Sequence, residues 1–196
     1  MARDTGQKKR IIVGISGASG PQYGIRLLEV LKDFEDVETH LVISEAAKKN
    51  IQLESDWTVE QVEALADFVY SNNDLAASIS SGSFRSEGMV IAPCSAKTLS
   101  GLANSFDTNL LIRAGDVVLK EKRRLIIIFR ETPIHLGHLR LMTQVAEIGA
   151  MIMPPVPAFY HRPKTIQDIV DQTVGKILDQ FGLENQLFNR WHCPPS

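Results

Sequence analysis

Ile11-Ile12-Val13-Gly14-Ile15-Ser16-Gly17-Ala18-Ser19-Gly20-Pro21 is the stretch whose reading decides the fold of this 196-residue chain. Five apolar residues, four of them β-branched, suit a buried strand and are too few for a helix of ordinary length. The small residues 17–20 then make a tight turn, and Pro21 is placed in the first turn of a helix that the spacing carries through about Phe34. Val37 to Ile43 reads as a second strand. Ser44 follows as the cap of a helix whose Ala46, Ala47, Ile51 and Leu53 are separated by polar positions. One βαβ unit is thereby complete.

The alternation continues outward from that unit. Thr58 and Gln61 form a capping-box pattern for a short helix within Trp57 to Ala66, and Asn72 to Ser86, rich in Ser and Asn, reads as a long surface loop. Met89 to Ala92 is the next strand, with Pro93, Cys94 and Ser95 opening a helix to about Asn104. Leu110 to Lys122 is helical by spacing, and Leu125 to Phe129 is a strand covered on both faces. A helix from about Leu136 to Ile148, ended by Gly149, leads to a strand at Ala150 to Met153. After the Pro154 Pro155 Val156 Pro157 segment, Thr165 and Asp168 stand in capping-box register for a last helix ending near Gly182. Strands alternating with helices through short turns predict an α/β fold: a doubly wound, mostly parallel sheet in three layers.

The composition fits one globular domain over residues 11–185. A polar tail covers 1–10, and a tail at 186–196 has Leu187, Phe188 and Trp191 available to dock on a neighbour. The formal net charge of -2 gives no general pull toward nucleic acid or anionic lipid. The run Ile11 to Ile15 is too short for a membrane span or a signal h-region, so no export signal is read. Cys94 and Cys193 lack ligand spacing and suggest neither a disulfide framework nor a zinc site, which fits a cytoplasmic protein. His135 and His138 are one turn apart without a carboxylate to complete a metal set, so no metal is expected.

In a sheet of this kind ligands bind beyond the carboxyl ends of the strands. Four polar clusters fall there: Ser16 to Gly20, Ser44, Ser95 to Thr98, and Arg130 with Glu131. Gly17 and Gly20 let a phosphate approach backbone N–H groups at a helix start, or simply make a βα turn. Ser44 can bond a ribityl chain or only cap its helix. Ser95, Ala96, Lys97 and Thr98 can likewise read a ligand edge or only cap. Cys94 has nothing beside it to activate a thiolate. Arg113 and Lys120, two turns apart on one helix face, suit either a shared anion or solvent. Arg130 ends an apolar strand, where a guanidinium needs an anionic partner, and Glu131 beside it is available for proton transfer. Glu54 can be a base or a surface residue, and Tyr160, behind the proline segment, can meet a phosphate or fill a corner.

Several blocks in order carry a resemblance: Gly14 to Gly20 with Tyr23 Gly24, Leu41 to Ser44, Ala92 to Ser95 with Lys97 Thr98 Leu99, Leu119 to Glu121, Arg130 to Pro133, and Pro157 to His161. Over about Arg10 to Trp191 the chain resembles the UbiX/Pad family of flavin prenyltransferases. The resemblance implies a Rossmann-like, flavodoxin-like flavoprotein, assembled as a homododecamer with active sites at subunit contacts. It implies that the dimethylallyl group of dimethylallyl monophosphate is joined to N5 and C6 of reduced FMN. The prenylated FMN then serves a UbiD-type decarboxylase, and no metal takes part. By the same likeness Gly17, Ala18, Ser19, Ser44, Ser95, Ala96, Lys97, Thr98 and Arg130 would hold FMN. Tyr160, Lys176, Arg113 and Lys120 would hold the prenyl phosphate, while Ser19, Glu54 and Glu131 would move protons. Two positions depart from the pattern of many relatives, Lys176 where arginine is common and Leu75 where some have tryptophan. The alternatives are a flavin-dependent cysteine decarboxylase, whose Pro-Ala-Ser-Ala-Asn motif is replaced here by Pro93 to Lys97, and a non-catalytic FMN-binding decarboxylase subunit.

Overall fold

The structure, a computed structural model, describes residues 8–191; most of the polar N-terminal tail, the end of the C-terminal tail and Cys193 lie outside the described residues. The chain divides into two compact units, Met1–Pro154 and Pro155–Ser196, the division falling inside the proline segment.

In the first unit the elements run β1 (Lys9–Ile15), α1 (Gln22–Leu31), β2 (Val37–Ile43), α2 (Glu45–Glu54), α3 (Val59–Glu63), β3 (Phe68–Ser71), a 3-10 turn (Ser78–Ser80), β4 (Gly88–Cys94), α4 (Ala96–Ala103), α5 (Leu110–Lys120), β5 (Arg124–Phe129), α6 (Leu136–Glu147) and β6 (Met151–Ile152). Among the described residues six strands form one sheet in the order β3-β2-β1-β4-β5-β6, and every pairing is parallel. Successive side chains of a strand point to opposite faces. Ile12, Met89, Ile91, Leu125 and Ile127 pack with Leu102, Leu111, Ala114 and Val118 of α4 and α5, while α1 contacts β1, β2 and β4. The predicted α/β sheet is therefore the one observed.

Three boundaries correct the sequence reading. Pro93 and Cys94 do not open a helix; they continue β4, and Ser95 is the cap of α4. β3 carries no strand signal because Phe68, Val69 and Ser71 are exposed on a four-residue edge strand, which needs no apolar alternation. The last strand of this sheet shrinks from four residues to Met151–Ile152.

Strand register aligns the tips. Ile15 lies opposite Ile43, Ile43 opposite Ser71, and Cys94 opposite Phe129. The residues leaving the sheet therefore form a row in spatial order: Asn72, Ser44, Ser16, Ser95 and Arg130. With strands about 4.8 Å apart, that row spans roughly 19 Å.

The second unit holds α7 (Ile166–Gln180), started by a capping box between Thr165 and Asp168. Residues after α7 fold back on it. Asn185 donates to the Gly175 carbonyl (3.2 Å), Arg190 bonds both carboxylate oxygens of Asp179 (3.0 and 2.6 Å), and Phe188 lies where a Gly175 side chain would be. Trp191 remains 69% exposed.

Candidate functional site

The row of strand tips straddles the point where the winding of the sheet reverses, between β1 and β4. In an open parallel sheet that crevice is where ligands bind. A cavity of about 390 Å³ opens there, lined by Gly17, Ser44, Glu45, Ala46, Asn72, Asn73, Ser95, Lys97, Thr98, Thr108, Asn109, Leu111 and Ile112.

Its walls are set by hydrogen bonds that the sequence motifs make locally. Ser16, 1% exposed, donates from Oγ to the Pro93 carbonyl (3.0 Å) and accepts from the Ser95 N–H (2.8 Å), tying β1 to β4. Ser44 accepts from the Ala47 N–H (3.2 Å), Ser95 from the Thr98 N–H (3.3 Å) and Asn109 from the Ile112 N–H (3.1 Å). Three capped helix starts, of α2, α4 and α5, thus face one cavity. Each contributes N–H groups and the positive end of a helix dipole, a setting that favours an anionic, polar ligand. Lys97 adds a full positive charge to the wall.

The turn between β1 and α1 is held from α2. Glu54 Oε2 accepts from Ser19 Oγ (2.9 Å) and from the Gly20 N–H (2.8 Å), and Gln22 Nε2 donates to the Glu54 carbonyl (2.5 Å). Ser19 and Glu54, thirty-five residues apart in sequence, are one hydrogen-bonded pair. Gly20 needs its φ of +93°, and any side chain on Gly17 would strike the Ala46 methyl.

At the tip of β5, the Arg130 N–H donates to the Cys94 carbonyl (3.1 Å), while its Nε is buried without a hydrogen-bond partner among the described residues. Glu131 accepts from the Thr132 N–H (3.1 Å). Beyond it His135 caps α6 by accepting from the Gly137 N–H (3.0 Å), and its ring stacks on His138 at 3.7 Å. Among the described residues no group of three or more His, Cys, Asp or Glu side chains is arranged to hold a metal ion.

Arg113 and Lys120 take separate anchors. Arg113 bonds Asp107 (2.9 Å), Asp116 (3.4 Å) and the Ser80 carbonyl (3.2 Å), whereas Lys120 pairs with the neighbouring Glu121. Lys120 also stands at the far end of α5, about 15 Å along the axis from the helix start that lines the cavity. In the second unit, Tyr160 is 41% exposed with its ring edge-on to His161 and Trp191, and Lys176 pairs loosely with Asp179 (3.8 Å). Leu75, half exposed, sits in the loop after β3. Burial pushes the Cys94 thiol well above its ordinary range, so it offers no thiolate.

Asn72, Asn73, Thr108 and Asn109 are wall residues that the sequence motifs did not single out. Asn72 accepts from the Leu110 N–H at its carbonyl (2.8 Å) and from the Leu111 N–H at Oδ1 (3.0 Å). Asn109 had a signal, an N-cap residue directly before an apolar helix. Asn72 had none, since its place depends on an edge strand.

The Flavoprotein family matches residues 2–178. The flavin prenyltransferase UbiX of Escherichia coli strain K12 is 62% identical over 185 residues, covering 93% of this chain and 98% of the relative. Among solved structures, AnUbiX (PadA1) in complex with FMN and dimethylallyl pyrophosphate superposes with a TM-score of 0.94 at 46% identity, covering 96% of this chain and all of the other. A dodecameric FMN-dependent UbiX-like decarboxylase from Escherichia coli O157:H7 superposes with a TM-score of 0.92 at 47% identity, covering 94% and 100%.

Proposed function

The chain belongs to the UbiX flavin prenyltransferases, and from that membership we propose that its strand-tip cavity holds reduced FMN while a dimethylallyl group is transferred from dimethylallyl monophosphate to N5 and C6. The observation that carries this reading is the convergence of three capped helix starts and Lys97 on one cavity at the reversal point of the sheet.

The residues present suit the flavin nucleotide. Gly17 leaves backbone room that a Cβ would fill, and Ser44, Ser95 and Thr98 offer hydroxyls beside the N–H groups of helix starts. Gly17, Ala18, Ser19, Ser44, Ser95, Ala96, Lys97, Thr98 and Arg130 are its proposed ligands. The chemistry breaks the bond between the allylic carbon and its phosphate oxygen, and the electron pair leaves with the phosphate. Two new bonds to the flavin form, and one proton leaves each of N5 and C6. The chain must therefore stabilise the departing anion, accept protons and return one to the prenyl double bond. Ser19 with Glu54, and Glu131, are the proposed carriers of those protons.

Tyr160, Lys176, Arg113 and Lys120 are the proposed partners of the prenyl phosphate. Lys120 lies too far along α5 to reach its own cavity. Assembly as a homododecamer, as in the Escherichia coli O157:H7 relative, would bring it to the site of another copy. The product, prenylated FMN, is handed to a UbiD-type decarboxylase. The cytoplasm is the proposed compartment, consistent with the unpaired, buried Cys94.

The test is anaerobic incubation with reduced FMN and dimethylallyl monophosphate, with the diphosphate as comparison, followed by mass spectrometry of the released flavin. Gain of one C5H8 unit is expected. An unchanged flavin mass with both donors would reject the reading in favour of a flavin-binding subunit.

A further inference from the structure

The turn carrying Ser19 is composed of small residues, so few side-chain contacts specify its shape. One face of α2 supplies the specification. Ala46, Asn50 and Glu54 follow at intervals of four, a single stripe along that helix. They meet the turn in order. Ala46 blocks any side chain at Gly17; Asn50 Nδ2 donates to the Ala18 carbonyl (2.9 Å); Glu54 accepts from Ser19 Oγ and from the Gly20 N–H. A carbonyl can only accept, so the amide of Asn50 must present its NH2 edge to Ala18.

We propose that Asn50 is a positioning residue for the Ser19–Glu54 pair. Its bond to the Ala18 carbonyl fixes the peptide that leads into Ser19, one helical turn before the carboxylate that Ser19 must meet. Without that anchor the Ala18–Ser19 peptide can rotate, and Ser19 Oγ leaves its line to Glu54. Displacements of about 1 Å at a reacting group lower rates by about a hundredfold. The inference rests on the reading of Ser19 and Glu54 as proton carriers; the anchoring itself rests only on the hydrogen bonds.

Asn50→Asp tests it, because the side chain keeps its shape and loses its donor. At pH 7.5 the new carboxylate, ordinarily ionised above about pH 3.9, faces the Ala18 carbonyl with no proton to give it. Two readouts are followed in parent, Asn50→Asp and Asn50→Ala: exchange protection of the Gly20 amide relative to the parent, and kcat with saturating flavin and donor. The expected result for Asn50→Asp at pH 7.5 is a loss of Gly20 protection and a kcat at least about tenfold below the parent, with KM little changed. Asn50→Ala, which also lacks the donor, should show the same two deficits. Gly20 protection equal to the parent's, or a kcat equal to the parent's in both variants, would overturn the proposal. A parent that protects Gly20 but transfers no prenyl group would instead overturn the reading of Ser19 and Glu54, leaving the protection data to decide the anchor.

Discussion

Two ends of the strand-tip row are built differently. At β1 and β2 the polar groups of the turn find partners within the chain: the Ala18 carbonyl, the Ser19 hydroxyl, the Gly20 N–H and the Glu54 carboxylate are all engaged. At β5 and α6, Arg130 Nε and His138 Nδ1 are buried without a hydrogen-bond partner among the described residues. A buried donor left unmade costs about 1–3 kcal/mol, and more when charged. The contrast separates two tasks. On the roles proposed above, the groups that hold a proton in line are preorganised by the fold, whereas those proposed to meet an anion keep donors free for a ligand, at some expense of stability.

The sharpest way to break this contrast is Glu54→Gln. The amide oxygen can still accept from Gly20, so the turn stays in place, but the group can no longer exchange protons. We expect kcat to fall by about 10²–10⁴, the range for loss of a general acid or base, with FMN affinity changed only a few-fold. Parallel single-turnover and flavin-titration measurements check it, and a kcat near that of the parent removes Glu54 from proton transfer.

Arg130→Ala probes the other end and should behave oppositely. Charge-assisted bonds contribute about 1.5–3 kcal/mol, so affinity for FMN or for the prenyl phosphate should weaken by about ten- to a hundredfold. Thermal stability should hold or rise, since an unsatisfied buried donor is removed. Titration with each ligand separately tells which anion Arg130 serves. A lower melting temperature with unchanged affinities would mean that the guanidinium is structural.

Gly17→Ala is smaller in scale. Its methyl would collide with that of Ala46, so the turn must shift away from α2. A roughly tenfold weaker FMN affinity is expected, the effect of one displaced hydrogen bond or so. Adding Ala46→Gly should recover part of it, because the obstruction is then gone. Absence of recovery would place the role of Gly17 in its backbone contacts to the ligand alone.

How much of this arrangement the sequence disclosed follows from the range of the interactions. β1, β4 and β5 are largely apolar runs, β2 ends in one at Leu41 to Ile43, and the caps Ser44, Thr58, Ser95 and Thr165 act within three residues, so strand tips and helix starts were readable locally. Pro93 was misassigned because proline ordinarily breaks a strand, yet it is carried at the end of β4. The pairing of Ser19 with Glu54 depends on how α2 lies against the turn. Nothing in the spacing of residues 19 and 54 encodes it, and only the family resemblance had brought them together. Asn72 and Asn50 share that property: each acts on backbone more than thirty residues away through tertiary placement. Composition offers no signal for such contacts.

The partnered side of the row extends to the sheet edge, where His40 supplies the mildest test. His40 is 2% exposed; Nε2 meets Glu38 (2.9 Å) and Nδ1 meets the Tyr70 hydroxyl (2.9 Å), which continues to Ser78 (3.1 Å). Arg10 also donates to Glu38 (2.8 Å), and the His40 ring stacks on Phe68. Burial lowers the His40 pKa below its ordinary 6.5 despite the opposing pull of Glu38, and Arg10 lowers it further. For Glu38, burial pushes upward but the bonds from His40 and Arg10 prevail, so its carboxyl stays below its ordinary 4.5 and remains ionised above that pH. The unfolded chain therefore binds a proton at His40 before the folded chain does, and stability rises with pH across the interval between the two values. The His40 contribution is fully present above about pH 6.5 and is lost as pH falls below it toward the folded value. We expect the melting temperature to drop by a few degrees between pH 7.5 and pH 5.5. In His40→Asn it should start lower and vary less over that window, where Glu38 does not titrate. An equal slope in both proteins would assign the pH dependence to other groups and leave His40 as packing alone.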